Sequence, residues 1–203
     1  MTLAEYIEQI RFGLREITPA FFTDTELMTY VNLKELEFVR KTKWLTKETD
    51  IAWESDGYSV LLPSDFMAVD FVLLDEDGAV TFLEKRGGKG RADTSELDFG
   101  YRLDSTKLWL TDDSERDSDT TLTLSYIYKP TPYTDPVTDA AVESTLGDDF
   151  SEIIIAGALS KGLVKQERFP SAQYHETVYQ QGIIEAKRFR NDRVGKNVIN
   201  IEH

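Results

Sequence analysis

The chain has 203 residues, no cysteine, 40% hydrophobic and 11% aromatic residues, and a formal net charge of −14. That composition is ordinary for a globular protein and excludes disorder throughout, disulfides, thiol nucleophiles and thiolate metal sites. No run of about 18 apolar residues is present to span a membrane, and Glu5 and Glu8 stand where a secretory leader would be basic and then apolar, so no signal peptide is expected. The charge is uneven: net −1 over 1–46, −16 over 47–152 and +3 over 161–203. Binding to a phosphate backbone draws on cations that displace counterions, so the acidic body is expected not to hold nucleic acid.

The first helix opens on Thr2 and Glu5 at capping-box spacing. Leu3, Ile7, Ile10, Leu14 and Ile17 then form one apolar stripe that Pro19 stops. A second helix starts at Thr23-Asp24-Thr25-Glu26, again at capping-box spacing, and runs to about Lys43. Leu27, Met28, Val31, Phe38 and Val39 share one face, with Leu33 and Leu36 on the opposite side. Such a helix is either central in its domain or touched by another subunit. Glu35 lies within the main apolar face, and the sequence offers no reason for it.

From about Thr46 the period changes to two. Ile51–Trp53 and Tyr58–Leu62 flank Asp56-Gly57 and predict a hairpin. Met67–Leu74 and Val80–Leu83 flank a turn at Asp77-Gly78, and Tyr101–Leu103 and Lys107–Thr111 form another hairpin. Residues 84–98 and 112–119 read as polar loops. Thr120–Lys129 closes the β region with Leu122, Leu124, Tyr126 and Tyr128 on one face, and Pro130, Pro132 and Pro136 make an extended elbow. Asp148 or Asp149 then caps a helix to about Val164 that is rich in small residues, among them Gly157 and Ser160. Pro170 opens a last helix, on which Tyr174, Val178, Gly182, Ala186 and Phe189 share a broad face; past Asn191 the helical pattern stops. The predicted fold is α+β: an antiparallel bundle of about four helices from both chain ends (1–46 plus 147–190), a mostly antiparallel β insertion (47–135), an elbow (136–146) and an extended tail (191–203).

No reactive cluster stands out. His175 lacks helical-spaced partners, since position 179 is Tyr and 171 is Ser, and reads as a surface histidine; His203 is the other histidine of the chain. Asp75-Glu76-Asp77-Gly78 lacks the third ligand position and downstream glutamate of a calcium loop. Gly87-Gly88-Lys89-Gly90 lacks the Ser/Thr and helix of a phosphate-binding loop. No catalytic residue, metal site or cofactor is therefore expected. The tail has two readings: a helix-end complement to the backbone dipole with a frayed terminus, or a segment, basic first and then β-branched, that orders on a partner.

Three stretches, LLPSDFMAVDFVLLDEDG (61–78), TLTLSYIYKPTPYTD (120–134) and DDFSEIIIAGALSKGLVKQERFPSAQYHETVYQQGIIEAKRF (148–189), together with the opening helix pair, resemble the head–tail connector adaptors of tailed bacteriophages. The resemblance implies a virion structural protein of the neck, assembled in the host cytoplasm as a dodecameric ring beneath the portal. It also implies a channel that passes genomic DNA without specific binding, and a distal face for tail or nozzle proteins. It places portal docking on Arg188, Arg190, Arg193, Lys196, Val198, Ile199 and Ile201. Contacts between copies of the chain are expected at Leu33, Leu36, Gly157, Ser160, Tyr174 and Val178. The competing readings are another neck or tail-completion protein and an acidic module binding calcium or a small ligand.

Overall fold

A computed structural model describes residues 1–16, 21–54, 59–76, 78–85, 100–111 and 120–197, with side chains to Asn191. The chain divides into a helical unit, Met1–Leu45 with Lys129–His203, and a β unit, Thr46–Tyr128. The expected α+β architecture, with helices from both ends and strands between, is what the chain adopts.

Helix α1 (Leu3–Leu14) begins with the expected capping box: the Glu5 amide donates to Thr2 Oγ1 and the Thr2 amide to Glu5 Oε2. It ends three residues before Ile17, because Arg15 takes a left-handed conformation (φ 59°) and closes the last turn. Helix α2 (Asp24–Thr42) is capped by Thr23, whose Oγ1 accepts from the Glu26 amide at 3.2 Å. The reciprocal half of that second box is absent. The Glu26 carboxylate instead accepts from Lys165 Nζ at 2.7 Å and from Tyr30 Oη at 2.6 Å.

Among the described residues, the β unit holds two four-stranded sheets. One has the order β1-β8-β3-β4 and the other β2-β7-β6-β5, with β1 Thr46–Ile51, β2 Ser59–Leu61, β3 Phe66–Glu76, β4 Ala79–Phe82, β5 Glu84–Lys85, β6 Gly100–Leu103, β7 Lys107–Leu110 and β8 Thr121–Tyr128. Alternation predicted β3–β4, β6–β7 and the inward Leu122, Leu124 and Tyr126 correctly, and Val60, Val72, Leu74 and Leu108 complete their core. The hairpin expected around Asp56-Gly57 forms only at its inner end: Trp53 bridges Val60 antiparallel and the Glu54 amide donates to the Ser59 carbonyl at 2.8 Å, while residues 55–58 lie outside the described residues. Beyond that point its arms part, because β1 pairs with β8 and β2 with β7 in a different sheet. The Trp53 indole donates to the Thr120 carbonyl at 2.9 Å, which holds this crossing point beside the start of β8. Strand β5 pairs parallel to β6, the one non-antiparallel pairing among the described strands.

In the helical unit a 3₁₀ turn (Asp148–Phe150) leads into α3 (Ser151–Lys165), and α4 spans Phe169–Asn197. Neither Asp148 nor Asp149 caps α3; Gly147, at φ 72°, turns the chain into the 3₁₀ turn and Phe150 occupies the cap position without a side-chain bond. Helix α3 packs against α1, α2 and α4. Its small residues serve this packing. A Cβ on Gly157 would meet Lys34 Cδ and Tyr179 Cδ2 at 2.9 Å, and one on Gly162 would meet Leu14 Cδ2 at 2.8 Å. Across the α3–α4 contact, a Cβ on Gly182 would lie 2.5–2.8 Å from three atoms of Ile153. Gly182→Val is therefore expected to cost about 2 kcal/mol by overpacking, roughly 5 °C of Tm in a thermal melt, with Gly182→Ala intermediate.

The end and the core face of α4 differ from the sequence expectation. Helix α4 continues seven residues beyond Arg190, the last residue of the predicted bundle, so residues 191–197 are helical backbone and not extended. Its core face is also rotated: Ala172, Tyr179, Ile183 and Ala186 are buried, whereas Tyr174 and Phe189 are 66% and 62% exposed. Gly182 and Ala186 belong to both stripes, and a glycine carries no side chain with which to fix the phase of an apolar pattern.

Candidate assembly surfaces

The polar groups inside the helical unit are structural. Lys34 is buried between α2, α3 and α4, with its Nζ 3.0 Å from Glu37, 3.1 Å from Glu176 and 4.2 Å from the centre of the Tyr179 ring. Tyr179 Oη donates to the Lys34 carbonyl at 2.9 Å. Ser160 Oγ donates to the Gly157 carbonyl at 2.7 Å and lies 2.9 Å from Glu176. Burial pushes the Glu176 carboxyl up, but hydrogen bonds from Gln180, Ser160 and Lys34 outweigh it and hold the group below the usual carboxylate range.

Glu35, the residue without a sequence rationale, is 1% exposed and accepts from Ser144 Oγ at 2.6 Å. Burial raises it to about 7, with the Ser144 bond opposing. The hydroxyls of Tyr6 and Tyr133 are buried within range of its charge, and neither reaches a partner at normal hydrogen-bond geometry. Burial pushes Tyr6 to about 12, and Glu35 adds to that shift. This cluster fastens the proline-rich segment to α2. Asn32 completes the fastening, since its Nδ2 donates to the Tyr133 carbonyl at 2.8 Å and its Oδ1 accepts from the Tyr133 amide at 2.9 Å. The segment also crosses the start of α1, where the Leu3 amide donates to the Val142 carbonyl at 3.1 Å. The elbow is thus part of the bundle's polar framework.

The residues expected at subunit contacts separate into two groups. Gly157 and Ser160 are buried within the chain and occupied by Lys34, Tyr179 and Glu176. Leu33 and Tyr174 are more than half exposed, while Leu36 and Val178 are half-buried. Of the residues expected to dock on the portal, Arg188 is exposed and Arg190 half-buried. Two residues apart on one helix, they point to opposite sides of α4. Arg193 and Lys196 lie on the helical backbone of α4, and Val198, Ile199 and Ile201 fall outside the described residues. Sequence reasoning missed Phe12, which is 80% exposed beside an open groove lined by Glu8, Gln9, Gly13, Ile155 and Leu159. Its position opposite the Leu3–Ile7–Ile10–Leu14 stripe was the available signal.

The remaining described candidates hold no reactive geometry. Asp75 Oδ1 accepts from the Gly78 amide at 2.9 Å and Gly78 sits at φ 82°, which is a turn joining β3 to β4. The 87–90 glycines and the 112–119 acids lie outside the described residues. His175 is partly buried, and burial together with Arg168 lowers its pKa. Among the described residues no cluster of three or more His, Cys, Asp or Glu is placed to hold a metal ion, and no helix is long and apolar enough to cross a membrane.

No curated protein matches the sequence. Among solved structures, the chain is similar to one from the neck of an empty GTA particle computed with C6 symmetry, at 12% identity and a TM-score of 0.26, covering 75% of this chain and 74% of that one. The model of the SU10 adaptor protein family matches residues 1–199, nearly the whole sequence. The chain belongs to the SU10 adaptor protein family.

Proposed function

We propose that this protein is a non-enzymatic structural adaptor in the neck of a tailed-phage particle, forming a ring between the portal and the tail proteins. The observation that carries this reading is the adaptor-family match over residues 1–199. Consistent with it, the buried Lys34 and Glu35 and the half-buried Glu176 fasten α2 to α4 and to the proline-rich segment. The ring is a dodecamer whose channel passes genomic DNA, and the net charge of −14 disfavours adhesion of that DNA to the wall. Leu33, Leu36, Tyr174 and Val178 are the earlier interface residues that retain surface for contacts between copies. Gly157 and Ser160 support that surface from beneath.

Portal docking is placed on the end of α4 and the residues after it: Arg190, Arg193, Lys196, Val198, Ile199 and Ile201. Truncation after Asn191 is expected to abolish binding to purified portal rings while the thermal melt stays within a few degrees of wild type. Undiminished co-sedimentation of the truncated protein with portal would refute the assignment to the tail. The alternative of a calcium-binding module predicts a rise in Tm on adding calcium; the adaptor reading predicts none.

A further inference from the structure

We propose that the ring closes through a head-to-tail contact in which the Glu8–Phe12 face of α1 in one copy packs antiparallel on the Gln181–Ile184–Arg188 stripe of α4 in the next. The inference rests on the adaptor reading and adds the two surfaces that meet. Helix α3 is the starting point. It meets α1 through Leu159 against Gly13 and Gly162 against Leu14, and meets α4 through Ile153 against Gly182, Gly157 against Tyr179 and Ser160 against Glu176. At 3.6 residues per turn these two sets lie on opposite sides of α3. The outer faces of α1 and α4 are therefore different surfaces on opposite flanks of the helical unit. A closed ring needs two such non-identical, complementary patches on each copy.

Both faces carry unpartnered apolar side chains. On α1, Phe12 is 80% exposed; on α4, Ile184 is 52% exposed with Tyr174 further along the same stripe. The charges choose the register. Glu8 stands four residues before Phe12, and Arg188 four residues after Ile184. An antiparallel crossing that seats Ile184 on Phe12 and over the Gly13–Leu159 groove therefore brings Arg188 to Glu8. The same register carries Gln181 toward the end of α1, where Arg15 closes the last turn, so the charged contact lies on the Glu8 side of the apolar centre. Glu8 and Arg188 are both exposed in the single chain. A desolvated aromatic with a polar contact at its rim is the common composition of an interface centre. Arg188 thus works between subunits, and Arg190, on the other side of the helix, is left to the portal-facing end.

The absence of native cysteine makes the test selective. Full-length Phe12→Cys/Ile184→Cys protein, alone and mixed with portal rings, is treated with a short bis-maleimide and run on a denaturing gel, with light scattering on the same samples. Both positions are exposed, so folding is retained. A ladder extending past dimer in the double variant, with each single variant giving dimer at most, is the expected result. Self-association by scattering without such a ladder would overturn the assigned surfaces and leave the ring standing. No self-association in either sample would overturn both.

Discussion

Between pH 4.5 and pH 8, the Glu35→Gln variant is expected to gain about 3 kcal/mol of stability relative to wild type. Glu35 titrates near the ordinary carboxylate value of 4.5 in the unfolded chain and at about 7 in the folded one, with burial the dominant cause. Because the folded state holds its proton more tightly, the group's favourable contribution is complete below the unfolded pKa and is lost as pH rises through 7. A displacement of that size corresponds to about 3 kcal/mol at 1.36 kcal/mol per pH unit. Glutamine keeps the carbonyl that accepts from Ser144 Oγ and has no charge to desolvate. Urea unfolding of both proteins across this range measures the difference directly. A difference that does not change with pH would mean Glu35 is solvated in the folded protein and the Tyr6–Ser144–Tyr133 surroundings are not as described. The variant also offers a practical gain, since it should tolerate mildly alkaline buffers better than the natural chain.

Lys34 predicts a contrast between two substitutions. Lys34→Ala is expected to lower stability by about 2–3 kcal/mol, while Lys34→Met returns to within about 1 kcal/mol of wild type. Removing one member of a buried ion pair typically costs 3–5 kcal/mol. The lower figure applies here because Glu37 and Glu176 keep 33% and 39% of their side-chain surface and can turn to water. What alanine also forfeits is the aliphatic stem that fills the space over Gly157 and beside the Tyr179 ring. Methionine restores that volume without the charge. Equal losses for the two variants, measured by denaturant unfolding, would show that the ammonium itself carries the stabilisation.

Periodic apolar residues and local turn chemistry were legible from sequence. The α1 capping box, the β3–β4 and β6–β7 pairings and the inward face of β8 all follow from short-range patterns. What was not legible depends on partners distant along the chain. Glu35 reads as an anomaly on α2 until Ser144, 109 residues later, supplies its hydrogen bond. The small residues of α3 read as a surface for another subunit, yet their neighbours are Lys34, Leu14 and Tyr179 of the same chain. A glycine in sequence announces close approach without saying to what. The α4 face was misphased for a related reason, since Gly182 and Ala186 fit two stripes and Tyr179 and Ile183, buried with them, decide between them. Phe12 is the converse: its exposure is unremarkable in a periodicity count and becomes informative once α1 is seen to have a free side.

The β unit leaves the helical unit after Leu45 and returns at Lys129, and its first and last strands are hydrogen-bonded neighbours, with Thr46 opposite Ile127. Its two crossing points therefore stand side by side, as the stem of a graft does. Changes in length between them, in the strands or their loops, can therefore be absorbed without moving apart the two ends that join the helical unit.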